Sequence, residues 1–242
     1  MPRFFLSPNQ ISENSAIIYG EDASHIARSL RMKVGDPLTL CDGEGMEFHC
    51  TITALSSSQV ELSIDSKSPS KGEPPCTIHL YVALPKGDKM EQIVQKSVEL
   101  GVTSITPVLT ERAISRPDEK SAKSKVIRWQ KIAREAAGQC GRGIIPTINP
   151  LVKYDAALKQ MQTSELAFIC YENESERTLK SILPAAPPKE IAFLTGAEGG
   201  FSQSEINSAT AANIPTVSLG SRILRCETAP LYTLACILFH FE

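Results

Sequence analysis

The sequence predicts an α/β protein in two unequal parts: a small N-terminal barrel of short strands, then a mostly parallel sheet covered by helices. Three observations carry this. A run of Ser, Lys, Pro, Gly and Glu at residues 66–75 cannot build a packed element and divides the chain. Ahead of it lie short apolar runs of strand length; beyond it, apolar strands alternate with amphipathic helices. The expected boundaries are a domain at 1–66, a linker at 67–75 and a domain at 76–242.

In the first part, strands are expected at 3–6, 16–19, 37–41, 46–55 and 59–65, with one short helix near 21–30. Asp42-Gly43-Glu44-Gly45 supplies a tight turn between two of them, because glycine tolerates positive φ. Val60-Glu61-Leu62-Ser63-Ile64 alternates apolar and polar side chains, as a half-buried strand does. Five short strands in about 65 residues suggest a small barrel.

In the second part, residues 77–84 read as a strand. Asp88-Lys89-Met90-Glu91 has the form of a capping box, and Met90, Ile93, Val94 and Val98 fall on one helix face. Gly101 suits the position just past the helix end. Further strands are expected at 104–109, 166–171, 190–195 and 216–219, and helices at 122–140, 154–160, 202–212 and 227–239. Strand–helix alternation of this kind builds a parallel sheet.

Composition excludes several classes. The chain has 242 residues, 42% of them hydrophobic and 21% charged, as in ordinary globular proteins. No run approaches the roughly 18 apolar residues of a membrane helix, and the N-terminus lacks the pattern of a signal peptide, so a cytoplasmic protein is expected. The 7 cysteines form no C-x-x-C pair and an odd number cannot all pair internally. His25, His49, His79 and His240 show no metal-ligand spacing, so no metal is expected.

The net charge of −2 argues against a general nucleic-acid coat, but its distribution is uneven. Residues 111–142 hold nine Lys/Arg against four Asp/Glu, and residues 25–33 hold Arg28, Arg31 and Lys33 with no acid. Such patches fit directed phosphate contacts; a solvated helix face is the alternative.

Two stretches carry the chemistry. In Leu194-Thr195-Gly196-Ala197-Glu198-Gly199-Gly200-Phe201-Ser202, an apolar strand ends in a loop with three glycines in five residues. Ser202 and Glu205 then fit a capping box. Bare backbone between a strand and a helix lets a ligand approach closely. For the glycines alone, a tight turn without ligand is the alternative. The spacing G-x-x-G-G is not the dinucleotide fingerprint G-x-G-x-x-G, which disfavours a nucleotide-binding oxidoreductase. In Val217-Ser218-Leu219-Gly220-Ser221-Arg222-Ile223-Leu224-Arg225-Cys226-Glu227-Thr228, a second strand ends in a glycine loop before an apolar helix. Adjacent strand ends of this kind lie at the carboxyl edge of a parallel sheet, where ligands bind. Taken alone, Arg225 and Glu227 also fit a surface ion pair.

Together these stretches resemble the SPOUT class of methyltransferases, and within it the RsmE family, which methylates N3 of a uridine in small-subunit (16S) ribosomal RNA. The family pattern G-P-E-G-G-F-[ST]-x-x-E is matched at residues 196–205, and L-G-x-R-I-L-R-x-E-T-A at residues 219–229. The resemblance extends to Lys86-Gly87-Asp88-Lys89-Met90-Glu91, to Glu111-Arg112, to residues 128–142, to Cys170-Tyr171-Glu172 and to residues 28–36. Ala197 stands where the family has proline, and Cys226 where it has threonine. The first change removes a fixed φ from the loop; the second removes a strong hydroxyl donor.

The resemblance implies a PUA-like β-barrel, a SPOUT domain with a deep trefoil knot, S-adenosylmethionine as methyl donor, and a homodimer. It implies cofactor contacts from Tyr171, Leu194, Thr195, Gly196, Glu198, Gly199, Gly200, Leu219, Gly220, Ile223, Leu224, Arg225 and Thr228. Arg225 is the expected stabiliser of negative charge on the target base, with Glu227 or Glu198 orienting it or taking the proton. Arg28, Arg31, Lys33, Arg112, Arg116 and Arg142 are the expected RNA contacts. Trp129, in register with Ile132 and Ala136, is expected in the core. The competing readings are a SPOUT methyltransferase for another rRNA or tRNA site and a non-catalytic RNA-binding protein.

Overall fold

A computed structural model describes residues 1–242, the side chain of Pro8 excepted. The chain divides into two compact units, Met1–Glu73 with Ala137–Ile145, and Pro74–Ala136 with Pro146–Glu242. No described helix is long and apolar enough to cross a membrane.

The first unit opens with β1 (Arg3–Phe5), β2 (Ser15–Tyr19) and the short helix α1 (Gly20–Ser24). It continues with β3 (Pro37–Cys41), β4 (Met46–Leu55) and β5 (Gln59–Pro69). The strands form one sheet in the order β1-β3-β4-β5-β2, antiparallel except for β1 with β3. With β1 and β2 at its two edges, the sheet is a half-barrel. Ile18, Leu38, Leu40, Ile52 and Leu62 fill its concave side. The turn before β4 forms as its sequence demands: Asp42 Oδ1 accepts the Glu44 and Met46 amides at 2.7 and 3.0 Å, and Gly43 and Gly45 take positive φ.

Two expectations need correction here. Lys67–Pro69, assigned to the linker, prolong β5 against Met46–Phe48. Backbone pairing with β4 satisfies their polar groups, so a solvent-facing polar sequence is sufficient. The helix expected at 21–30 is α1 followed by a widened turn at His25–Ser29, closed by the Leu30 amide on the His25 carbonyl at 3.0 Å. Arg31 then takes φ of 53°, an uncommon backbone for a non-glycine residue.

Arg142 is the clearest departure from the sequence reading. Its side chain is only 3% exposed, and its Nη2 and Nε donate to Glu73 Oε2 at 2.6 and 3.1 Å. The other Glu73 oxygen accepts the Gly143 and Ile144 amides, both at 3.0 Å. The arginine is thus a buried tie between the end of the 66–73 stretch and the loop at 141–144, with no face left for a phosphate.

The second unit comprises β6 (Thr77–Ala83), α2 (Lys89–Glu99), β7 (Ser104–Leu109), α3 (Glu119–Cys140), whose last residues belong to the first unit, β8 (Thr147–Ile148), β9 (Val152–Lys153) and α4 (Tyr154–Met161). There follow β10 (Leu166–Cys170), α5 (Leu179–Ile182), β11 (Glu190–Thr195), α6 (Gln203–Ala211), β12 (Thr216–Val217) and α7 (Thr228–Phe241). Every strand pairing is parallel, in the order β12-β10-β11-β6-β7-β8, with β9 beside β7. The chain enters at β6, builds outward through β7, then crosses to the other side of β6. The carboxyl ends of β6, β10, β11 and β12 therefore open side by side, where a parallel sheet receives ligands.

Local sequence explains the helix ends. Ser202 caps α6 through the Glu205 amide, and Glu205 returns the bond to the Ser202 amide, as the pattern predicted. Gly101 follows α2 with φ of 76°. At the start of α2 the expected box does not form: Asp88 makes no side-chain cap, and Glu91 pairs instead with Arg128 of α3 at 2.7 Å. Trp129 is buried, on the core side of α3.

Candidate active site

The two glycine loops, separated by some twenty residues of sequence, wall a single cavity of about 410 Å³. One wall is Gly196, Ala197, Glu198 and Gly200 from the loop after β11. The other runs from Ser218 to Glu227 after β12. Cys170, Tyr171 and Glu172, at the end of β10, close a third side, and Lys89 from the first turn of α2 reaches in from the fourth. The volume lies within the roughly 300–1,000 Å³ range of small-molecule sites.

The glycines make room for one another's loops. Gly200 has φ of 60°, and a Cβ there would collide with the Glu172 carboxylate. A Cβ on Gly196 would stand 3.3 Å from Phe201. Gly199 is hemmed by Arg112, whose Nη1 donates to the Gly199 carbonyl at 3.1 Å. The loop is anchored beyond Gly200 by the buried Phe201 and by Ser202, whose hydroxyl donates to Glu111 Oε2 at 2.5 Å. The second loop leaves the sheet earlier than expected: β12 ends at Val217, and Ser218 turns to pair with Arg177 and Leu179. Gly220, at φ of 111°, carries the chain around the open side.

A charged cluster joins these walls. Lys89 Nζ lies 2.7 Å from Glu198 Oε1, 3.6 Å from Glu227 Oε2 and 3.7 Å from Cys226 Sγ. The Lys86 amide adds a second donor to Glu198 Oε1 at 3.3 Å, and the Cys226 thiol donates to Glu227 Oε2 at 3.1 Å. Hydrogen bonding to Glu198 strengthens the Lys89 ammonium's hold on its proton. Burial alone would raise the Glu198 carboxyl, but the Lys89 ammonium and backbone amides bring it below its ordinary value. The Cys226 thiol, the residue's own amide and Lys89 likewise lower Glu227. Burial and the bond to Glu227 push the Cys226 thiol up to about 12, so it stays protonated and acts as a donor. A thiol donates more weakly than a hydroxyl at this position would.

Of the residues expected to touch a cofactor, Tyr171, Gly196, Glu198, Gly200, Leu219, Gly220, Ile223, Leu224 and Arg225 line this cavity; Gly199 and Thr228 lie outside its lining. Leu194 and Thr195 are fully buried within the sheet, so their side chains face the core and not the cavity. Lys89, Glu172 and Arg222 are on the lining without having been assigned a role from sequence. Lys89 had a readable signal: a lysine at the first position of a helix opposes the dipole and needs a reason.

The expected RNA contacts are distributed. Arg28, Arg31 and Lys33 are exposed in the first unit. In the second unit Arg112 holds the glycine loop, and Arg116 Nη2 donates to the Thr110 and Glu111 carbonyls at 3.2 and 2.8 Å.

Comparison with known proteins agrees with this architecture. A model described as an RNA methyltransferase domain matches residues 72–238, and one described as an RNA methyltransferase PUA domain matches residues 18–65. The ribosomal RNA small subunit methyltransferase E of Bacillus subtilis is 35% identical, the match covering 100% of this chain and 98% of that protein. A crystal structure of the methyltransferase of the same name from Neisseria gonorrhoeae, bound to S-adenosylmethionine, is 33% identical with a TM-score of 0.89, covering 100% of this chain and 98% of that one. A Legionella pneumophila protein solved with the same cofactor is 34% identical with a TM-score of 0.86, covering 97% and 96%. The first unit is a PUA-like half-barrel and the second a parallel α/β SPOUT methyltransferase domain. The chain belongs to the ribosomal RNA small subunit methyltransferase E family.

Proposed function

We propose that this protein transfers a methyl group from S-adenosylmethionine to N3 of one uridine in small-subunit ribosomal RNA. The observation that carries the reading is the convergence of both glycine loops on one cavity, with Lys89, Glu198, Arg225 and Glu227 on its wall. Exposed backbone from Gly196 to Gly200 and from Leu219 to Leu224 would hold the adenosine part of the donor. When bound, the donor supplies an electrophilic methyl group. The carboxylates of Glu172, Glu198 and Glu227 on the cavity wall suit the positive sulfonium.

Uridine N3 is a weakly acidic imide, so the protein must help remove its proton and hold it in line with the methyl group. Negative charge then spreads to the ring oxygens. Arg225 lines the cavity, is exposed, and its side chain has no hydrogen bond or ion pair among the described residues. It is a free cation on the wall, able to meet that charge. The reaction is tested by incubating the protein with isotopically labelled donor and ribosomal RNA, then analysing nucleosides by mass spectrometry. Label on N3-methyluridine is expected; label on a ribose oxygen or another base would overturn the assignment.

Arg28, Arg31 and Lys33 hold RNA phosphates in this reading, joined by Arg112 and Arg116. Affinity for RNA should therefore fall steeply with salt, and a flat dependence would count against it. The protein works as a homodimer whose interface includes α7: Tyr232, Ala235 and Phe239 form an exposed stripe on that helix, with Phe239 91% exposed. Light scattering should return twice the chain mass, and a monomeric mass would contradict the dimer. The C-terminal segment from the second loop through α7 is read as the knotted part of the SPOUT domain.

A further inference from the structure

Lys89 places a cation at the first position of α2, against the positive end of the helix dipole. The acid in the same turn does not pair with it: Glu91 is taken by Arg128. What surrounds it instead are groups from the two distant loops, Glu198 on one side and Cys226 and Glu227 on the other. The pair with Glu198 is about one-third exposed on both sides, so its contribution to folding is small. Its position on the cavity wall points to a role in the site.

The two carboxylates are held differently. One oxygen of Glu198 takes both the Lys89 ammonium at 2.7 Å and the Lys86 amide at 3.3 Å. Glu227 lies farther from the cation, at 3.6 Å, and its side-chain donor is a thiol, a weak one. A carboxylate tightly paired with a cation resists accepting a proton; the looser one accepts it more readily.

We propose that Lys89 is a positioning residue for methyl transfer: it fixes Glu198 as an anchor between the two glycine loops and leaves Glu227 as the carboxylate that takes the N3 proton. This rests on the reaction proposed above. In the transfer, N3 forms its bond to the methyl carbon while the carbon–sulfur bond breaks, its electron pair returning to sulfur. The N3 proton passes to a Glu227 oxygen and from there to water.

The groups around Glu227 are the Lys89 ammonium from α2 and the Cys226 thiol beside it. Glu198 stands across Lys89, and Glu172, Arg222 and Arg225 line the same cavity. Because Lys89 helps hold the Glu227 carboxyl low, removing the ammonium raises it. A base works only when deprotonated, so the acidic limb of the rate profile moves to higher pH.

The test uses full-length protein, saturating S-adenosylmethionine and ribosomal RNA, with single-turnover rates followed across the acidic range. Lys89→Met should move the limb up by about one unit, and Lys89→Arg should restore it. Glu227→Gln should lower the rate about 10²–10⁴-fold with donor affinity little changed. Glu198→Gln should weaken donor binding more than it lowers the rate. Calorimetric titration of the Lys89 and Glu227 variants with the donor reports that their cavity is intact. An unmoved limb in Lys89→Met, or a larger rate loss in Glu198→Gln than in Glu227→Gln, overturns the inference. If wild-type protein places its methyl group elsewhere than N3, the reaction itself is misassigned, a result separable from an unmoved limb with N3 methylation intact.

Discussion

Arg225→Ala is expected to lower methyl transfer about 10²–10³-fold while leaving the Kd for S-adenosylmethionine within a few-fold of wild type. The side chain is exposed on the cavity wall and has no hydrogen bond or ion pair among the described residues, so its loss leaves no buried group unpaired. The residue's structural duty is carried by its backbone: its carbonyl accepts the Thr228 and Ala229 amides at 2.8 and 3.0 Å as α7 begins. Alanine keeps both bonds. What disappears is a cation beside the position where the uracil ring acquires charge, and an interaction made mainly in the transition state lowers kcat more than binding. Single-turnover rates and calorimetry separate the two quantities. Equal losses in both would make Arg225 a structural element of the second loop.

Glu73→Ala should destabilise the first unit by about 3–5 kcal/mol, as expected when one partner of a buried pair is removed. The Arg142 side chain, 3% exposed, would keep its charge without its carboxylate, and the Gly143 and Ile144 amides would lose their acceptor. Arg142→Met leaves a smaller deficit, because the glutamate remains about one-fifth exposed and retains its two amides. Urea denaturation followed by a signal from the first unit measures both. Similar midpoints for wild type and Glu73→Ala would show that the tie contributes little.

That pair marks the limit of what the sequence discloses. Arg142 belongs to a basic stretch, and charge spacing along a chain carries no information about a carboxylate sixty-nine positions away. The same holds for Lys89, whose partners come from loops more than a hundred residues distant. The glycine loops were legible because their signal is local. Three glycines between an apolar strand and a capped helix specify bare backbone wherever the fold puts it, and the parallel sheet puts it beside the second loop. Strand and helix positions followed from periodicity for the same reason. The very short β8 and β9 gave no periodicity to read, and Ser66–Pro69 joined β5 through backbone pairing that polar side chains neither favour nor forbid. Leu194 and Thr195 show the converse: a motif names a stretch of chain, but adjacent strand residues point to opposite faces, and both faces of β11 are buried.

The most direct test of the account is calorimetric titration of the wild-type protein with S-adenosylmethionine. The cavity between the two glycine loops predicts saturable binding of one donor per chain. Absence of binding would contradict it, because the geometry assigned to Lys89, Glu198, Arg225 and Glu227 has meaning only around that molecule.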